Sequence, residues 1–101
     1  MKIITMCGSL KFVSDIMYWT EKLTLEGNCV LSIIYPTRQD KGTYTPEQHD
    51  LLNKMHKKKI DLSDSIFVVN RDGYIGSSTR SEIDYAKALG KEILYLDESQ
   101  S

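Results

Sequence analysis

The segment from Ser65 to Leu96 constrains the fold more than any other part of this chain. Ser65-Ile66-Phe67-Val68-Val69 is a short apolar run, rich enough in β-branched residues for a buried strand. It leads into Asn70-Arg71-Asp72-Gly73-Tyr74-Ile75-Gly76, a loop with two glycines, and then into a helical pattern that stops at Gly90. Glu92-Ile93-Leu94-Tyr95-Leu96 follows at once as a second strand. A strand, loop, helix and strand in that order close on a parallel sheet. Ligands of such sheets gather at the carboxyl ends of the strands, where the loop after Val69 must lie. Glu82 is expected in the first turn of the helix, facing or flanking that pocket.

The remaining chain repeats the alternation. A first strand is expected at roughly residues 2–7, turning at Gly8-Ser9. Phe12, Val13, Ile16, Met17, Thr20 and Leu23 share one face of the next helix, and Gly27-Asn28 is a good stop for it. Cys29 to Ile34 reads as the second strand, ended by Tyr35-Pro36. The polar stretch 37–46, with Gly42 and Pro46, is the longest loop. Thr45 then suits the N-cap and Pro46 the first position of a helix with a core face of Leu51, Leu52, Met55, Ile60 and Leu62. Four strands alternating with three helices through right-handed crossovers predict a three-layer α/β sandwich of the flavodoxin or Rossmann kind. One domain over residues 1–101 is expected, without repeat, low-complexity segment or linker.

Composition excludes several functions. Thirteen basic and fourteen acidic residues give a formal charge of −1, so no basic footprint points to a nucleic-acid polymer. Lys57-Lys58-Lys59 reads as the solvated side of a helix. Met1-Lys2-Ile3-Ile4-Thr5 enters a strand directly, so neither a signal peptide nor a membrane span is expected and the cytoplasm is the expected location. Cys7 and Cys29 stand apart without metal or redox spacing and read as buried thiols. His49 and His56 are seven apart and lack a plausible ligand set, so neither metal nor cofactor is expected.

Asn70 to Ala86, followed by Gly90-Lys91-Glu92-Ile93, resembles the nucleoside 2-deoxyribosyltransferase-like superfamily, most closely its short bacterial and phage members. Ile3-Ile4-Thr5-Met6-Cys7-Gly8-Ser9 is similar to the first strand and Gly-Ser turn of the same group. The resemblance implies the strand order 2-1-3-4 and a homodimer. The familiar members carry a further strand beyond the fourth, and with none expected here strand four would be an exposed edge that a partner subunit could cover. It also implies a nucleophilic glutamate four residues before an alanine, the interval from Glu82 to Ala86.

Cleaving an N-glycosidic bond builds positive charge on the sugar as the base departs. A carboxylate beneath C1′ stabilises that charge or forms a covalent glycosyl intermediate, and a helix amino terminus favours its ionised form. Glu82 fits that role. Thr79-Arg80-Ser81-Glu82 is equally a capping box, in which the glutamate only closes the helix start. Asp72 is the loop's candidate proton donor to the leaving base, if burial keeps it protonated. The alternative for Asp72 is a turn residue in Asp72-Gly73. In the superfamily an acid also stands on the helix before strand three. That position falls on His56 here, which can donate to a purine or bind phosphate but cannot reproduce a carboxylate's contacts to a sugar hydroxyl.

Gly8 and Ser9 at one helix start, with Ser77, Ser78 and Thr79 at another, offer N–H groups and hydroxyls to a 5′-phosphate. Asn70, Gly73, Tyr74, Gly76, Ser77 and Ser78, beside Gly8, Ser9 and His56, are the expected substrate-binding residues. Tyr74 either stacks on a base or folds inward to close the sheet edge. Tyr18 and Trp19 border the first helix's apolar stripe and read as dimer contacts. The expected function is therefore N-glycosidic cleavage or deoxyribosyl transfer on a nucleoside or its 5′-monophosphate. The alternative is a non-catalytic binder of a nucleotide or nucleotide-derived signal in the same pocket.

Overall fold

The computed structural model describes residues 1–37 and 44–98. Most of the loop expected at 37–46, including Gly42, and the last three residues lie outside those described. Among the described residues there are four strands: β1 (Ile3–Gly8), β2 (Cys29–Leu31), β3 (Ser65–Val69) and β4 (Glu92–Tyr95). They alternate with the helices α1 (Val13–Leu25), α2 (Pro46–Asp61) and α3 (Ser77–Ala88). Short 3₁₀ turns at Leu10–Phe12 and Arg71–Gly73 follow β1 and β3. Every strand pair is parallel and the order is β2-β1-β3-β4, as expected.

Strand parity sorts the core. Ile4 and Met6 of β1, with Phe67 and Val69 of β3, pack against Ile16 and Leu23 of α1. Cys7, Ile66 and Val68 point to the other face, against Ile60 of α2 and Ile83 and Ala86 of α3. All five residues of β3 are buried, which is what a central parallel strand covered on both faces requires. Each fully buried isoleucine contributes about 1.5–3 kcal/mol relative to an exposed one.

Several details differ from expectation. β2 ends at Leu31 rather than at residue 34. Just past it, the Ser32 carbonyl accepts from the Lys59 ammonium at 2.8 Å, a side chain of α2. The capping box at Thr45 and Gln48 forms at the start of α2, with Pro46 in the first turn. Of the five residues expected to face the core from α2, only Ile60 is buried, while Leu51, Met55 and Leu62 are exposed. Only the last turns of α2 meet the sheet, where Thr5 Oγ1 donates to the Lys59 carbonyl at 3.0 Å. Met17 of α1 is likewise exposed. Trp19 belongs to the core edge rather than to a free surface: its ring stacks on Phe67 with centroids 5.1 Å apart. Cys7 is buried, but Cys29 on the edge strand is exposed. No helix among the described residues is long and apolar enough to cross a membrane.

Candidate functional site

Three elements converge at the carboxyl end of β1. Cys7, one residue before the strand's end, shares the parity of Thr5 and so faces α2. His56 lies one turn before Ile60 on the same helix, and Glu82 lies one residue before the buried Ile83 of α3. Cys7 Sγ stands 3.5 Å from His56 Nε2, and His56 Nε2 stands 3.6 Å from Glu82 Oε1. The His56 and Glu82 side chains keep 11% and 17% of their exposure, enough to open on solvent but not to be hydrated as free groups.

Burial governs the charge of this cluster. It pushes the Glu82 carboxyl up to about 7, against smaller opposing pulls from a hydrogen bond with Cys7 and from the charge of Lys57. Burial also brings His56 down to about 4, helped by the positive charge of Lys59. The Cys7 thiol is raised by burial first, and then by the charge of Glu82 and a hydrogen bond to it. Near neutral pH the cluster is a thiol beside a neutral imidazole and a carboxyl group close to its midpoint. The long His56–Glu82 contact is thus a polar approach and not a strong ion pair.

Glu82 occupies the boundary of two clefts. One, of about 240 Å³, is walled by Gly8, Ile33, Ile34, Leu52, His56 and Glu82. The other, of about 250 Å³, is lined by Asn53, Lys57, Ser77, Ser78, Ser81 and Glu82. The first is walled mainly by aliphatic side chains, with Tyr44, His49 and Lys59 among them; the second has hydroxyls from the start of α3 and Lys57. Asn53 and Glu82 border both.

The start of α3 differs from expectation. Gly76 is its N-cap, without a side-chain cap bond, and Ser77 is its first residue. Glu82 is therefore the sixth residue, in the second turn, and the capping box at Thr79 does not form. Thr79 is buried instead. Glu82 accordingly lacks the helix-start stabilisation of its anion, and desolvation prevails.

The other expected site residues divide. Gly8 lines the aliphatic cleft, and its backbone approaches β3 so closely that a Cβ there would lie 3.1 Å from Val69 Cβ. The Ser9 hydroxyl accepts from Lys11 N–H at 3.2 Å and caps a three-residue turn. Ser77 and Ser78 reach the second cleft. Asp72 is exposed in a left-handed turn (φ 55°), followed by Gly73 at φ 80°, and lines neither cleft; the burial expected to keep it protonated is missing. Tyr74 packs edge-on against Phe12, 5.7 Å between centroids, with Lys11 Nζ 3.9 Å from its ring centre. Asn70 is fully buried and clamps a backbone: Nδ2 donates to the Asp97 carbonyl at 3.1 Å, and the Asp97 N–H donates to Oδ1 at 2.8 Å.

Cys7, Asn53 and Lys57 were not expected at the site. Asn53 and Lys57 are four apart, one helical turn, so they share a face of α2, a signal present in the sequence. Comparison with protein-family models, curated proteins and solved structures finds no match to this chain. Fold and site together define a parallel three-layer α/β protein with a carboxyl group beside two clefts at the carboxyl edge of its sheet.

Proposed function

We propose that the chain acts on the N-glycosidic bond of a nucleoside or nucleoside 5′-monophosphate, with Glu82 as nucleophile, as its resemblance to the nucleoside 2-deoxyribosyltransferase-like superfamily implies. The observation that carries this reading is the place of Glu82 between an aliphatic cleft and a hydroxyl- and lysine-lined one. A base suits the aliphatic walls. A phosphate suits Lys57, Ser77 and Ser78 at the start of a twelve-residue helix. The sugar then spans the boundary, where the Glu82 carboxylate attacks C1′. The C–N bond breaks and its electron pair leaves with the base, to which the neutral His56 ring donates a hydrogen bond. Water or the N–H of a second base then attacks C1′, the C1′–Glu82 bond breaks to free the carboxylate, and the attacking group's proton passes to the departed base. In the same reading the chain works in the cytoplasm, on a small-molecule pool, as a homodimer joined through β4. A monodisperse monomer at micromolar concentration in light scattering would remove the dimer.

One observation favours a binder without catalysis. No carboxyl group other than Glu82 lines either cleft among the described residues, so the leaving base lacks an acid partner. Chromatography of products decides between the two. Wild type and Glu82→Ala are incubated, with a chelator present, with ribo- and deoxynucleosides and their monophosphates, with and without an acceptor base. Base released by wild type alone supports catalysis, and acceptor dependence separates transfer from hydrolysis. No release, with a ligand that raises the melting temperature of both proteins, supports the binder.

A further inference from the structure

We infer that Cys7, His56 and Glu82 form a site for a divalent transition-metal ion of the zinc class, with its fourth coordination position open to the aliphatic cleft. The three side chains come from three elements, β1, α2 and α3, and their donor atoms all lie within 4.8 Å of one another. Two of the three donor–donor separations are those of a coordination shell. Zinc bonds of about 2.3 Å to sulfur and about 2.0–2.2 Å to nitrogen and oxygen give tetrahedral edges of about 3.6 Å for S···N and about 3.4 Å for N···O. The corresponding separations here are 3.5 Å and 3.6 Å.

The donor set also selects the ion. Thiolate and imidazole favour a borderline-soft metal over magnesium or calcium, which take oxygen shells. Thiolate plus carboxylate cancels the charge of a dication, so the filled site is neutral in a buried setting. The thiol proton leaves to solvent as the sulfur–metal bond forms. Nearby cations do not occupy the position: Lys59 is drawn to the Ser32 carbonyl at 2.8 Å, and Lys57 lines the neighbouring cleft. Three protein ligands with one open position is the arrangement of zinc sites that bind an exchangeable fourth ligand.

The inference does not depend on the glycosidase reading, and either can fail alone. It does predict that zinc suppresses base release, because the ion holds the carboxylate needed at C1′. The test uses the full chain and Co²⁺ as a spectroscopic probe, without nucleotide. One equivalent should give intense visible bands of a tetrahedral ion and a near-ultraviolet thiolate-to-cobalt charge-transfer band, both displaced by Zn²⁺. Cys7→Ser should abolish the charge-transfer band, and Cys29→Ser, at the exposed thiol, should leave it unchanged. His56→Gln should weaken binding by more than about tenfold, since even outer partners of a metal ligand cost 10–100-fold. Absence of the band in wild type, or its loss in Cys29→Ser, would overturn the site. Should Cys7→Ser fail to fold by circular dichroism, unchanged Co²⁺ affinity in His56→Gln overturns it equally.

Discussion

Asn70 gives the sharpest test of how this sheet edge is held. Its side chain is fully buried and makes two hydrogen bonds to the backbone of Asp97, tying the end of β3 to the end of β4. Asn70→Ala removes both bonds, at about 1 kcal/mol each. It also deletes three buried heavy atoms, leaving roughly 40 Å³ that costs about 1 kcal/mol more. The expected loss is about 3 kcal/mol, or roughly 10–20 °C in melting temperature for a domain of this size. Asn70→Asp keeps the shape and separates donor from acceptor. Protonated, the new carboxyl still donates to the Asp97 carbonyl and costs about 1 kcal/mol. Ionised, it sets two acceptors face to face and buries a charge, so its cost exceeds that of alanine. The folded-state pKa of the new acid is therefore raised above its unfolded value of about 3.9. The favourable contribution of its protonated form is present at low pH and is lost as pH climbs from there through the raised value. Urea unfolding of wild type and both variants at pH 4 and pH 8, followed by circular dichroism, reads these differences. An Asn70→Ala protein within about 0.5 kcal/mol of wild type would refute the clamp. So would an Asn70→Asp penalty that is the same at both pH values.

Gly8→Ala should destabilise the fold by about 1–3 kcal/mol in the same assay, because the added methyl meets Val69 Cβ at 3.1 Å and the Val69 carbonyl at 3.2 Å in the paired strand. Ile60→Ala should cost about 2–5 kcal/mol, whereas Met55→Ala, one turn and a residue earlier and exposed, should cost about 0.5 kcal/mol or less by thermal melting. Lys57→Ala should weaken binding of a nucleoside 5′-monophosphate by about tenfold and leave the free nucleoside unaffected, as read by isothermal titration calorimetry. Equal loss for both ligands would detach Lys57 from the phosphate.

The alternation of strands and helices was legible because it rests on local signals, whereas the strand order was an expectation carried by the resemblance alone. β3 is a five-residue apolar run, and the stops at Gly27 and Gly90 carry positive φ, which favours glycine. Other features depend on packing that local pattern does not encode. Thr79 has every mark of an N-cap, yet burial of its side chain places it inside α3, and the helix starts two residues earlier at Ser77. Leu51, Met55 and Leu62 have helical spacing, yet only the end of α2 touches the sheet. Glu82 and His56 were both candidates from the sequence, but Cys7 was not, because it lies 49 residues from His56 and each element supplies one member of the cluster. Asn70 looked like a loop residue facing a ligand, since nothing near it in sequence reveals a partner at residue 97.

The stacking of Trp19 on Phe67 equips the molecule with its own optical gauge. Trp19 is the chain's one tryptophan, and it sits on the α1 face of the sheet, while Glu82 and His56 belong to the α2 and α3 face. Its emission should follow the detachment of α1 from the sheet and remain indifferent to what fills the cleft beside Lys57 and Ser77 on the other face. Fluorescence on one side and ligand or cobalt spectra on the other can thus be recorded from a single cuvette, with loss of structure and occupancy of the site told apart by wavelength.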